Sequence, residues 1–205
     1  MTRFVPSLAL LALLLAPLAA PGTATAAIVS VEEAKTEMTI GKPDAPVTIV
    51  EFSSLGCSHC AKFHSDTLPR IKKDYIDTGK VRLIFQDFPL GTPALAASMI
   101  ARCSGPKKFF GFIEILFRSQ AQWTTSGNPM QALSKVARFG GMSEDDVQAC
   151  LKYQPLLEHI RKGALVGQET YKINATPSFV IEGEVITGAQ PFEVFQKAFD
   201  KALNK

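Results

Sequence analysis

The apolar run Pro46-Val47-Thr48-Ile49-Val50-Glu51-Phe52 leads almost directly into Cys57-Ser58-His59-Cys60. No other feature restricts the fold of this chain as much, because it demands a strand, a tight turn and a helix that starts at a thiol. The first backbone N–H groups of a helix have no intrahelical partner and the helix dipole is positive there, so a thiolate at Cys57 is stabilised and its pKa falls. Cys60 follows one turn later, within reach for a disulfide. The same spacing also serves as half of a zinc site or as an inert structural bridge.

The first 26 residues bear on that choice. They show a basic start at Arg3, an apolar core from Leu8 to Leu15, Pro17 and Pro21, and the small residues Ala24-Thr25-Ala26. This is the pattern of a cleaved secretory signal with the cut after Ala26. A membrane anchor needs about twenty unbroken apolar residues, and Pro17, Pro21 and Gly22 interrupt this stretch. An exported chain meets conditions in which disulfides persist, and its four cysteines form an even set.

About 180 residues remain after such a cut, enough for one domain that carries an insertion. The formal net charge of +3 is too small to indicate a nucleic-acid partner, and no run of five basic residues occurs. There is no phosphate-binding loop, no dinucleotide fingerprint and no supportable Ser/His/Asp arrangement.

Periodicity predicts the order of elements. After a short polar stretch, a strand is expected near Met38 to Ile40 and a strong one at Val47 to Ser53. Phe63, Leu68, Ile71 and Tyr75 recur at helical spacing between Ser58 and Ile76, with a kink expected at Pro69. Lys80 to Phe85 alternates as a second central strand. From Thr92 to Lys172 only helical blocks appear, punctuated by Pro93, Pro106, Pro129 and Pro155 near their starts and by Gly105, Gly127 and Gly140-Gly141 at the breaks. Phe109, Phe110, Phe112, Phe117 and Trp123 are read as the core of this region. Ser178 to Ile181 and Val185 to Thr187 then form a hairpin around Glu182-Gly183-Glu184, followed by a helix from Pro191 to Leu203. This is an α/β fold in which an all-helical segment, 92–172, interrupts a sheet domain formed by 27–91 and 173–205.

The strand leading to Cys57-Ser58-His59-Cys60, the helical insertion, and Ala175-Thr176-Pro177 ahead of a hairpin together resemble the DsbA-like thiol:disulfide oxidoreductases of the thioredoxin superfamily. The resemblance covers essentially the whole chain after the signal. It implies a thioredoxin-like fold with an inserted helical domain, Cys57 as nucleophile, Cys60 as the buried resolving thiol, and a cis-proline at Thr176-Pro177 facing the disulfide. It further implies disulfide donation to reduced, folding exported proteins, reoxidation by a DsbB-type quinone-linked membrane oxidase, a periplasmic location, and no organic cofactor or metal.

The individual residues are consistent with that chemistry, which needs an exposed, easily leaving thiolate and a second thiol to resolve the mixed disulfide. His59 is read as an electrostatic partner of the Cys57 thiolate, the alternative being a surface histidine. His64 is read as an ordinary helix residue rather than a metal ligand. An acid in an apolar strand is unusual, and Glu51 is either a buried proton relay for the resolving thiol or a solvent-facing strand residue. Thr176 and Pro177 would leave a backbone edge free to pair with an extended substrate. Cys103 and Cys150 are expected to form a structural disulfide within the insertion. About a dozen residues precede the first strand, too few for the N-terminal extension that makes related isomerases oligomeric, so a monomer is expected. An isomerase or reductase on the same fold, and a Cys/His metal-binding module, are the competing functions.

Overall fold

The computed structural model of the protein describes Met1 and residues 28–205. The expected signal, apart from Met1, and its cleavage point lie outside the described residues. Within them, a five-stranded sheet has the order β1-β3-β2-β4-β5, where β1 is Met38–Ile40, β2 Val47–Ser53, β3 Val81–Asp87, β4 Ser178–Ile181 and β5 Glu184–Thr187. β2 and β3 are parallel; every other pair is antiparallel. β2 is the central strand, and both of its faces are covered. Val47, Ile49, Glu51 and Ser53 alternate onto one face and Thr48, Val50 and Phe52 onto the other, as the two-residue strand period requires.

The helical run after the thiols packs on the first face. It begins as α2 (Ser58–Lys62), widens into a π-helical turn over Phe63–Thr67, resumes as α3 (Leu68–Ile71) and widens again over Lys72–Ile76. Pro69 therefore does not simply kink the helix. It sits in the first turn of α3, directly after the π turn, where a missing N–H costs little. Phe63 meets Phe179 of β4 and Phe195 of the last helix, α10 (Phe192–Leu203), with ring centroids 4.4 and 5.4 Å apart. Such pairs contribute beyond their buried area.

The insertion consists of α4 (Thr92–Cys103), α5 (Pro106–Arg118), α6 (Gln120–Thr124), α7 (Pro129–Phe139), α8 (Glu144–Leu151) and α9 (Gln154–Tyr171). Ser143 and Asp146 close a reciprocal capping box at the start of α8, and Cys103 and Cys150 are joined by a disulfide between α4 and α8. α9 crosses back over the second face of the sheet. Gly163 and Gly167 make that approach possible, since a Cβ at either would overlap Gln86 or Phe52. Phe109, Phe112, Phe117 and Trp123 are buried, and the Trp123 indole donates to the Leu116 carbonyl at 3.0 Å. Phe110 is only partly buried, at the rim of a cavity. Sheet and insertion share one continuous core.

Three local features depart from the sequence expectation. A four-residue helix, α1 (Val31–Ala34), replaces part of the polar stretch; its signal is Ser30, whose hydroxyl accepts from the Glu33 N–H. α6 is a separate helix after α5, broken off at Ser119. β3 continues to Asp87, two residues further than its apolar alternation, because Gln86 and Asp87 still pair with Phe52 and Ser53. Asp87 is fully buried and is held by Arg102 of α4, which also donates to the carbonyls of Ala34 and Thr36. A charge can close a strand in the interior only when it is paired in this way.

Candidate active site

Cys57 is the N-cap of α2, with extended backbone angles of φ −92° and ψ 121°. Its N–H donates to Ser54 O at 3.0 Å, closing the tight turn that ends the strand segment, and its carbonyl accepts from Ala61. Cys57 is half-buried and Cys60 fully buried, and both are free thiols.

The two sulfurs have opposite environments. The Cys57 pKa is brought down to about 5, first by the hydrogen bond from Cys60. Burial opposes the shift, while Thr176 and the N–H groups of Cys60 and His59 reinforce it. Cys60 moves strongly the other way, chiefly because burial penalises its charged form and then because its proton is shared toward Cys57. One thiol is therefore held as the thiolate at neutral pH and the other as the protonated donor.

The loop before β4 faces this pair. The Thr176–Pro177 peptide is cis, and Cys57 Sγ lies 3.3 Å from the Thr176 carbonyl, to which a protonated Cys57 donates. Thr176 Oγ1 is buried with no hydrogen-bond partner of its own, which leaves its proton available to the ionised sulfur. The His59 ring is exposed and makes no hydrogen bond among the described residues; what His59 directs at Cys57 is its backbone N–H. Among the described residues no three His, Cys, Asp or Glu side chains gather as a metal-binding cluster.

A strand, a thiol at the helix start and a cis-proline loop against that thiol can be compared with known proteins as a unit. The thioredoxin family model matches residues 33–201. A protein-disulfide oxidoreductase of Rickettsia bellii is 30% identical over 170 residues, which make up 82% of this chain and 65% of that protein. A disulfide bond formation protein D of Bacillus anthracis is 30% identical over 177 residues, covering 83% of this chain and 80% of the relative. The crystal structure of α-DsbA1 from Wolbachia pipientis superposes with a TM-score of 0.76 at 27% identity, over 82% of this chain and 92% of the other. The chain belongs to the DsbA-like thiol:disulfide oxidoreductases. It spans about two thirds of the length of the Rickettsia relative.

In this DsbA-like chain, further residues that the sequence does not single out shape the site. Gln120 of α6 is buried, and its amide donates to Leu55 O at 2.7 Å and to Cys57 O at 2.9 Å. The helical insertion thus holds the carbonyls of the thiol-bearing turn through the Gln120 amide. The Ser54 hydroxyl accepts from the N–H groups of Gly56 at 3.3 Å and Leu90 at 3.1 Å, tying the same turn to the loop after β3. No local pattern marks Gln120, because its contacts lie 63 and 65 residues away in the chain.

Beneath the thiols, Glu51 is fully buried and does not face solvent. Its carboxylate meets the His64 ring, with Nε2 2.9 Å from Oε1 and 3.2 Å from Oε2. His64 is therefore not an ordinary exposed helix residue. The available signal was its position four residues after Cys60, on the same side of the helix. Cys103 and Cys150 lie apart from this site, fully buried in the insertion.

Proposed function

We propose that this protein is an exported thiol:disulfide oxidase that donates its Cys57–Cys60 disulfide to folding proteins. The observation that carries the reading is the opposed titration of the two thiols. A Cys57 thiolate stabilised at neutral pH favours the reduced enzyme, and an enzyme whose reduced form is stabilised gives its disulfide away.

In the proposed reaction a substrate thiolate attacks Cys57 Sγ. The Cys57–Cys60 bond breaks, and Cys60 leaves as a thiolate that takes up a proton. A second substrate thiolate then attacks the substrate sulfur of the mixed disulfide, releasing Cys57 as its stabilised thiolate. The substrate dithiol is oxidised to a disulfide, the enzyme disulfide is reduced to one thiolate and one thiol, and one proton is released overall. Thr176 stabilises the Cys57 thiolate and, with Pro177, presents the backbone edge along which an extended substrate lies. His59 contributes its N–H and, when protonated, a nearby positive charge. Glu51 relays the proton to Cys60. Cys103–Cys150 is a structural bridge and takes no part in exchange.

Family membership supports a periplasmic location, a DsbB-type quinone-linked membrane oxidase as the reoxidising partner, and a monomer that needs no cofactor. The experiment that tests the reading equilibrates the purified protein, with its signal removed, against a glutathione redox buffer while alkylation of Cys57 is followed. A potential well above the thioredoxin value of about −270 mV, with an acid-shifted thiolate, is expected. A potential near that of thioredoxin would transfer the function to a reductase or isomerase on the same fold.

A further inference from the structure

The reaction above leaves one demand unmet by the mouth of the site. Cys60 is fully buried and must gain a proton when it leaves and lose it when the enzyme is reoxidised. Cys57, half-buried at the start of α2, is the member of the pair nearer the surface.

The opposite side is built differently. Ser53 and Glu51 are two residues apart on β2, so their side chains project from the same face about 6.8 Å apart. Cys60 and His64 are one helical turn apart on the run packed against that face, about 6 Å along its axis. The two elements thus form a ladder with Ser53 opposite Cys60 and Glu51 opposite His64. The Ser53 hydroxyl faces the Cys60 sulfur and lowers the cost of its ionisation, yet it is fully buried and closes no full hydrogen bond with any neighbour. Glu51 is fully buried and bonded to His64 Nε2.

His64 is where this ladder reaches water. Its side chain is 10% exposed and lines an open cavity of about 620 Å³ between α2, α3, α5 and β1. The ring is clamped by Phe117, with centroids 4.5 Å apart, and by Phe85 at 6.1 Å. Nε2 is turned inward to Glu51, and Nδ1 has no protein hydrogen bond among the described residues. The charged groups around the ring are Glu51 from β2, Lys62 and Lys72 from its own helical run, and Glu114 and Arg118 from α5.

We propose that His64 is the outlet of a proton path from Cys60 through Ser53 and Glu51, exchanging protons with water in the side cavity rather than at the mouth of the active site. The path carries one proton inward when Cys60 departs from the disulfide and one outward when Cys60 attacks during reoxidation, with no change in the electron balance. His64 is a positioning and proton-transfer residue that acts through Glu51. The proposal rests on the assignment of Cys60 as the leaving thiol.

The test is the stopped-flow reduction of the oxidised full protein by dithiothreitol at pH 7, for the parent, His64→Ala and His64→Gln. If the parent itself does not exchange at Cys57–Cys60, the proposed function fails and the His64 question does not arise. If it does, His64→Ala is expected to react more slowly by about tenfold. This is less than the ~10²–10⁴ of direct acid–base catalysis, because the ring acts through a second group. Added imidazole, entering through the cavity, is expected to restore the rate in a saturable way relative to the parent in the same buffer. His64→Gln keeps a hydrogen bond to Glu51 but cannot titrate, and it is expected to be slow and not rescued. A purely structural role predicts the reverse, with His64→Gln close to the parent and no rescue of His64→Ala. A parent-like rate in His64→Ala, or a slow rate that imidazole leaves unchanged in a variant whose thermal melt is intact, overturns the proposal.

Discussion

The two cysteine pairs of this protein stand at opposite ends of helices. Cys57 precedes the first turn of α2, whereas Cys103 is the last residue of α4 and Cys150 the next to last of α8. The dipole that stabilises a thiolate at a helix start disfavours one at a helix end. Burial adds to the contrast: Cys57 is half-buried beside the cis-proline loop, while Cys103 and Cys150 are completely enclosed in the insertion. On the proposed function, identical side chains are thus separated into a reagent and a fastener by the polarity of the helix that bears them and by burial.

The comparison can be broken most directly by removing each pair. Cys57→Ser is expected to abolish disulfide transfer to a reduced model protein while the protein still folds, with a melting temperature that meets that of the reduced parent only below about pH 5. The double variant Cys103→Ala/Cys150→Ala should do the opposite. Its exchange rate should stay close to the parent's, while the loss of a cross-link spanning 47 residues lowers stability by up to about 4 kcal/mol. In a domain of this size that corresponds to a fall in Tm of about 8–16 °C. A folded double variant that no longer transfers disulfides would end the division of labour.

Acid pH sharpens the same comparison. The Cys57 pKa is depressed from ~8.5 in an unfolded chain to about 5, so its contribution to the stability of the reduced protein is full above ~8.5. That contribution shrinks as the pH falls and is gone below about 5. The reduced protein is therefore expected to lose Tm between pH 8.5 and 5 relative to Cys57→Ser, and the half-point of Cys57 alkylation should lie near pH 5. Parallel curves for the two proteins would mean that the helix start does not hold a thiolate.

The smallest expected effect joins the two regions. Gln120→Ala leaves the Leu55 carbonyl without its donor and the Cys57 carbonyl with the Ala61 N–H alone, at a cost of about 1–3 kcal/mol. A modest fall in Tm should accompany faster hydrogen exchange of the amides from Gly56 to Ala61 and slower disulfide transfer. An unchanged exchange pattern there would show that the insertion does not grip the thiol-bearing turn.

Much of this molecule could be read before its structure, and the reasons are local. Strand and helix periods repeat every two and every three to four residues, so β2, β3, the hairpin and most insertion helices follow from apolar spacing. Pro and Gly mark their ends for reasons confined to their own backbone. The failures were also local. α1 is too short to show a period, and β3 outruns its apolar alternation because a buried ion pair, Asp87 with Arg102, replaces it. The site divides in the same way. The thiol at a helix start is a property of a few neighbouring residues, whereas Ser53, Gln120 and the contact of Glu51 with His64 are not.

The sequence by itself determined the order of elements and the placement of Cys57 where unpaired N–H groups converge, because both depend on residues within a turn or two of one another. Only the tertiary structure decided which atoms complete that site. Thr176 reaches Cys57 across 119 residues, Gln120 across 63, and Glu51 finds its histidine across 13. Hydrogen bonding and desolvation act through space, and a titrating group responds to whatever folding brings within a few ångströms of it, however far away in the chain it began.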